Sequence, residues 1–296
     1  MPRRIPGELA SAYLIDRAKG FRLADFDPAD TQGLDLKDRA DELLKQGIER
    51  LSEMQQKLYA QDRWALLLIF QAMDAAGKDS VIRHVMSGVN PQGCDVHSFK
   101  TPSQEELNHD FLWRSTCRLP WRGSIGIFNR SYYEEVLVVR VHPDSLAKEQ
   151  LPPSLVTKKL WKERFDDINA FERYLSRNGI RICKFFLHVS KEEQRKRFLS
   201  RLDEPDKNWK FSENDVRERK YWNAYMEAYE DVIRHTASRH APWYVVPADN
   251  KWFTRLVVAS VVIETLESLK LGYPPINSQR RRDIDSARKL LLRKGS

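Results

Sequence analysis

The stretch Trp64-Ala65-Leu66-Leu67-Leu68-Ile69-Phe70-Gln71-Ala72-Met73-Asp74-Ala75-Ala76-Gly77-Lys78-Asp79-Ser80 decides the fold. Its first seven residues are continuously apolar, as in a parallel strand covered on both faces. A turn of small residues follows, and Gly77-Lys78 opens a helix predicted over 78–88. Ala75, Ala76 and Gly77 leave room for backbone N–H groups to face an anion, the helix N-terminus adds partial positive charge, and Lys78 supplies a point charge. A bare Gly-Lys is ordinarily a tight turn with a solvated lysine. After this strand, and with Asp74 inside the loop, phosphate binding is the stronger reading. The pattern G-x-x-x-x-G-K-S/T is met only in part: Ala72 replaces the first glycine and Asp79 the hydroxyl residue, with Ser80 one step later. Asp79 cannot make the usual hydroxyl contact to magnesium, so Asp74 is the substitute ligand, its competing role being a helix cap.

Outward from this loop the chain alternates strands and helices. Leu44, Ile48, Leu51, Met54 and Leu58 form one stripe of a helix over 35–62. Further strands are predicted at 94–99, 124–129, 180–189 and 242–246. Helices are predicted at 103–116, after Pro152-Pro153, from the charged 191–220 segment to about 235, and at 251–271. Such alternation implies right-handed βαβ units and a mostly parallel sheet, with ligands at the carboxyl ends of the strands. Residues 1–33 show no sustained period and read as an arm lying on the domain. Residues 34–277 read as the domain itself, and 278–296 as a basic tail able to form a helix.

Composition narrows the partner. Fifty Lys and Arg against 42 Asp and Glu give a net charge of +8, which favours an anion but does not choose among nucleic acid, membrane surface and phosphorylated small molecules. The basic stripe with interleaved aromatics expected of a single-strand binder is missing. The longest apolar run, Trp64 to Phe70, is seven residues, far short of the ~18 a membrane helix needs. No apolar segment follows Met1-Pro2-Arg3-Arg4, and Cys94, Cys117 and Cys183 have no C-x-x-C spacing. A cytoplasmic protein with three buried, reduced structural thiols is expected.

Two other segments carry candidate chemistry. Phe128-Asn129-Arg130-Ser131-Tyr132-Tyr133-Glu134-Glu135 closes the third apolar run. Many phosphate-loop proteins place an Asp there for magnesium; here Asn129 is neutral, Glu134 could restore the charge, and Arg130 could clamp a phosphate bidentately. The ordinary alternative is a turn with Asn129 as cap and surface Arg–Glu pairs. The second segment, about 195–220, resembles the mobile lid of small-molecule kinases, with Arg197 and Arg201 on one helix face, Pro205 ending that helix, and Ser212 and Asp215 at capping-box spacing. Residues 191–220 hold ten basic and eight acidic side chains, so most of these charges read as a solvated face.

Taken together, these segments resemble the polyphosphate kinase 2 family, and within it the class III branch acting on nucleoside mono- and diphosphates. The resemblance runs from Leu66 to about Leu269. It is carried by 73–79, by Ile82-Arg83-His84-Val85-Met86-Ser87-Gly88-Val89-Asn90-Pro91-Gln92-Gly93, by 128–134, and by Pro205-Asp206-Lys207-Asn208-Trp209-Lys210-Phe211. It implies a three-layer α/β, thymidylate-kinase-like phosphate-loop fold, Mg2+, and inorganic polyphosphate as phosphoryl donor to ADP or AMP; a homo-oligomer is expected. It implies Asp74, Lys78 and Arg130 as catalytic residues and Asp74, Asn129 and Glu134 as the metal site. Ala75, Ala76, Gly77, Asp79, Ser80, Arg83, Arg197, Arg201 and Lys210 are expected to contact phosphate or polyphosphate. The alternative on the same fold is an ATP-dependent nucleotide or small-molecule kinase, since the two share their charge-neutralising chemistry.

Overall fold

The computed structural model describes residues 9–34, 36–205, 208 and 213–292. The strands are β1 (Leu14–Ile15), β2 (Ala65–Ala72), β3 (Cys94–Ser98), β4 (Ile125–Asn129), β5 (Ile180–His188) and β6 (Trp243–Pro247), in the order β1-β6-β5-β2-β4-β3. All pairings are parallel except β1 with β6. The sheet is therefore mixed and mostly parallel. Strand β2 lies at its centre, buried along its length as its apolar run requires, with β5 and β4 on either side.

Helices close both faces. On one side α1 (Ala40–Gln61) and α2 (Lys78–Val85) pack with α10 (Lys251–Ser268). On the other, α5 (Glu134–Val141), α6 (Leu160–Arg177) and α9 (Trp222–Thr236) pack together. The stripe expected on α1 is buried at Leu44, Leu51, Met54 and Leu58. Between α6 and α9 lie α7 (Lys191–Asp203) and α8 (Glu213–Glu218), the two helices of the expected lid. The tail forms α11 (Ser278–Leu292), which buries none of its residues.

Three expectations change. Of the three thiols expected to be buried, Cys183 is; Cys94 is half-buried and Cys117 exposed. The helix over 103–116 is two short ones, α3 (Gln104–Leu107) and α4 (Trp113–Thr116). Ser103 makes a full capping box with Glu106, and the Asp110 carboxylate accepts from the Leu112 N–H between the helices. Such local side-chain bonds compete with a continuous helix. The aperiodic 1–33 segment does more than cover the domain: Leu9, Tyr13, Phe21 and Leu23 enter the core, and β1 adds an antiparallel edge. Asp249 N–H to Pro28 O and Asn250 Nδ2 to Ala29 O fasten it beside the end of β6.

Candidate active site

The carboxyl ends of β2, β4 and β5 bring the candidate residues together. Phe70 lies opposite Asn129 in register, and the Arg130 N–H donates to Phe70 O at 3.0 Å, so the phosphate loop and the turn after β4 lie side by side. The loop needs left-handed backbone at Ala75 (φ 63°) and Gly77 (φ 106°). Glycine adopts this freely and alanine only with strain. The α2 hydrogen-bond ladder starts with Val81 N–H to Gly77 O. The Lys78, Asp79 and Ser80 amides precede it, which leaves them for an anion. Ala76 differs from expectation: its N–H donates to Met73 O and closes a turn inside the loop.

Lys78 is buried, and its Nζ donates to Ala72 O at 2.9 Å. Burial lowers its pKa, with Asp74 the strongest opposing charge. Asp74 does not cap α2, whose cap position is Gly77 without any side-chain bond. Its carboxylate instead meets Arg130 Nη2 at 3.2 Å, while Arg130 Nη1 stands 3.9 Å from Glu134. Arg130 thus sits between two carboxylates, and Glu134 foremost, then Asp74, raise its pKa further. Its own φ of 65° is unusual for a side chain of this size. Such outliers persist where surrounding structure holds them. Glu135, which follows Glu134, turns inward between Arg114 and Arg164, and burial lifts its pKa to about 7. Sequence alone cannot tell the two glutamates apart; the helix face does.

Asn129 is not a cap either. Helix α5 starts without a side-chain cap, and the Ser131 hydroxyl accepts from Tyr133 N–H. Asn129 Nδ2 donates to Asp79 Oδ1 at 2.6 Å, which ties the two departures from the common loop pattern into one contact. Among the described residues no three His, Cys, Asp or Glu side chains gather to hold a metal ion by themselves. Magnesium ordinarily takes one or two carboxylates and completes its shell with water and substrate phosphate. Asp74 and Glu134, flanking one guanidinium, fit that donor set.

Arg197 departs from its expected role as a phosphate contact. It is buried, and each of its five N–H donors has an acceptor: Glu193 on Nε, Ala75 O and Ala76 O on Nη1, Ala248 O and Asp249 O on Nη2. It braces the loop against the end of β6. Arg201 lies over the Phe198 ring, and its charge lowers the pKa of Asp215 against the larger raising effect of burial. Arg83 is exposed on α2 and does not join the cluster; its charge acts on Arg255, whose Nη2 donates to Ser80 Oγ. Lys210 and Ser212 lie outside the described residues.

A cavity of about 350 Å³ opens over Ala72, Met73, Asp74, Arg130 and Glu134, roofed by Asn214, Asp215, Glu218 and Arg219 and walled by Tyr225 and Tyr229. A second, of about 300 Å³, lies against Lys100, Arg114 and Lys148 and shares Thr101, Arg130, Glu134 and Val138 with the first. The wider cavity of about 630 Å³ between the N-terminal arm and α9 contains none of the loop residues. The segment after α7 is tied to the loop by a chain that no motif announced: Arg219 Nε to Gln194 Oε1, then Gln194 Nε2 to Asp74 O. Its far side is latched by Glu218, which contacts His142 Nε2 at 2.8 Å and accepts from the Tyr225 hydroxyl.

Relatives carry the same framework. The sequence pattern of the polyphosphate kinase 2 family matches residues 34–272. The chain is 58% identical over 258 residues to the ADP-polyphosphate phosphotransferase of Rhodopseudomonas palustris, covering 87% of this chain and 89% of that one. It is 46% identical over 263 residues to the AMP/ADP-polyphosphate phosphotransferase of Meiothermus ruber, covering 88% and 94%. The crystal structure of polyphosphate kinase 2 from Arthrobacter aurescens superposes with a TM-score of 0.87 at 38% identity, over 96% of each chain. With four-fifths of its length in the family pattern, the chain belongs to the polyphosphate kinase 2 family.

Proposed function

We propose that this chain is a polyphosphate-dependent nucleotide phosphotransferase of the class III kind, moving a phosphoryl group from inorganic polyphosphate to ADP, AMP or both. The observation that carries the reading is Arg130, flanked by the Asp74 and Glu134 carboxylates and shared by two adjoining cavities beside the phosphate loop. Phosphoryl transfer asks a protein mainly to position two phosphate-bearing substrates and neutralise the charge between them. The names of relatives identical at 58% and 46% over nearly the whole chain supply the donor and acceptor.

Lys78, behind the loop, neutralises charge on the transferring group, and the loop amides hold its neighbour. Arg130 orients a phosphate at the boundary of the cavities. Asp74 and Glu134 would hold Mg2+ together with substrate oxygens, and Asn129 would orient its water or lend a neutral oxygen. The ion, when bound, supplies charge neutralisation on phosphate oxygens. The working unit is residues 34–277 together with the N-terminal arm that enters its core, with a lid at about 195–220, acting in the cytoplasm as a homo-oligomer.

Purified protein incubated with Mg2+, long-chain polyphosphate and either ADP or AMP, with no added ATP, tests the reading. ATP should form from ADP in proportion to polyphosphate, and EDTA should stop it. ATP formation that ignores polyphosphate, or transfer only from an added nucleoside triphosphate, would instead establish the ordinary kinase on the same fold.

A further inference from the structure

Strand β5 carries Lys184 in the middle of an apolar run, Ile182-Cys183-Lys184-Phe185-Phe186. It is fully buried, as is Glu172 on α6. Lys184 Nζ donates to Glu172 Oε2 at 2.6 Å, to the Tyr133 hydroxyl at 3.0 Å and to Thr236 O at 2.9 Å, so all three of its N–H groups are taken. Glu172 Oε1 accepts from the Tyr132 and Tyr133 hydroxyls at 2.9 and 2.7 Å. Both tyrosines are fully buried, and the Lys184 ammonium also stands 5.2 Å from the Trp243 ring. No member of this cluster lines the cavities at Arg130.

Burying an ion pair costs several kcal/mol per ion, and well-packed apolar residues usually serve stability as well or better. The pair therefore needs another reason, and its placement supplies one. Tyr132 and Tyr133 lie between Arg130, with its left-handed backbone, and Glu134. Both side chains point away from the cavity and end on Oε1 of the Glu172 carboxylate, whose other oxygen, Oε2, accepts from Lys184. We infer that Lys184 and Glu172 are positioning residues: through the two tyrosine hydroxyls they fix the turn that aims Arg130 and Glu134 at the reacting phosphates. Preorganisation of this kind acts on the transition state more than on binding, because charge stabilisation during transfer depends on donors already in place. The inference rests on the phosphotransferase reading for its kinetic arm alone.

The test replaces the whole cluster by apolar residues of similar size: Tyr132→Phe, Tyr133→Phe, Glu172→Met and Lys184→Met together. The expected result is a melting temperature equal to or above the wild type, kcat reduced at least tenfold, and KM for ADP and polyphosphate within about twofold. Backbone amides of 129–135 should exchange with deuterium faster, while those of α10 stay protected. If the fourfold variant does not fold, Tyr132→Phe with Tyr133→Phe keeps the ion pair and should show the same kcat loss and exchange. A folded variant with wild-type kcat and unchanged exchange at 129–135 overturns the inference. A wild type that makes no ATP from polyphosphate refutes the proposed function instead, and the exchange measurement still decides the positioning role.

Discussion

Lys78 and Asn129 are the two residues whose substitution separates the site's chemistry from its scaffolding. Lys78→Ala should fold, because among the described residues the ammonium's one hydrogen bond is to the Ala72 carbonyl. It should lose turnover by roughly a hundredfold to a thousandfold, the ~3–4 kcal/mol typical of a preorganised donor removed from a transition state. Steady-state kcat beside a circular dichroism melt checks this; near-native kcat in a folded variant removes Lys78 from the chemistry. Asn129→Asp would set a carboxylate where an amide now donates to Asp79. That adds negative charge beside Asp74 and Glu134 and should shift both the magnesium dependence and the balance between AMP and ADP. If titration with Mg2+ gives superimposable curves for the wild type and Asn129→Asp, Asn129 lies outside the metal's environment.

Helix α7 is where an expectation about a single residue becomes one about an element. The i,i+4 spacing of Arg197 and Arg201 places both on one face of the helix, but tertiary packing divides them. Arg197 goes inward to brace the phosphate loop, and Arg201 stays half exposed beside Asp215. Arg197→Lys tests the brace. A lysine keeps the charge but offers three donors from one point, so it cannot reach Glu193, the loop carbonyls and the Ala248 and Asp249 carbonyls together. Orphaned buried carbonyls should lower stability by ~1–3 kcal/mol in urea unfolding. The loosened loop should cut kcat/KM severalfold with polyphosphate as the varied substrate. Unchanged stability would mean that α7 holds the loop by packing alone.

At the scale of the molecule, the N-terminal arm, β5 and α9 meet at His188. Its ring is buried, its Nδ1 has no hydrogen-bond partner among the described residues, and burial depresses its pKa to about 4. An unfolded chain would protonate this histidine near pH 6.5. The sign follows: His188 contributes no penalty above about pH 6.5, and stability is lost as pH falls from there toward about 4. Linkage puts this at roughly 2 kcal/mol between pH 7 and pH 5. Urea unfolding at the two values should show His188→Gln losing less stability on acidification than the wild type. Equal losses would show that other groups govern the acid limb.

The strand–loop–helix at 64–88, the alternation of elements around it and the identity of Lys78, Arg130 and Glu134 as candidates could all be read from local pattern. Buried parallel strands, helix stripes and anion-binding turns are written in consecutive or periodic residues. What the tertiary structure decided depends on residues far apart in the chain. Only packing shows that Asn129 meets Asp79, that Arg197 spends four of its five donors on backbone, that Glu135 is buried while Glu134 faces the cavity, and that Gln194 joins Arg219 to the loop. The aperiodic arm entered the core for the same reason: its partners, Glu230, Asp249 and Asn250, lie more than two hundred residues along the chain. No window of sequence contains both sides of such a contact, so only the folded chain could say which charges meet.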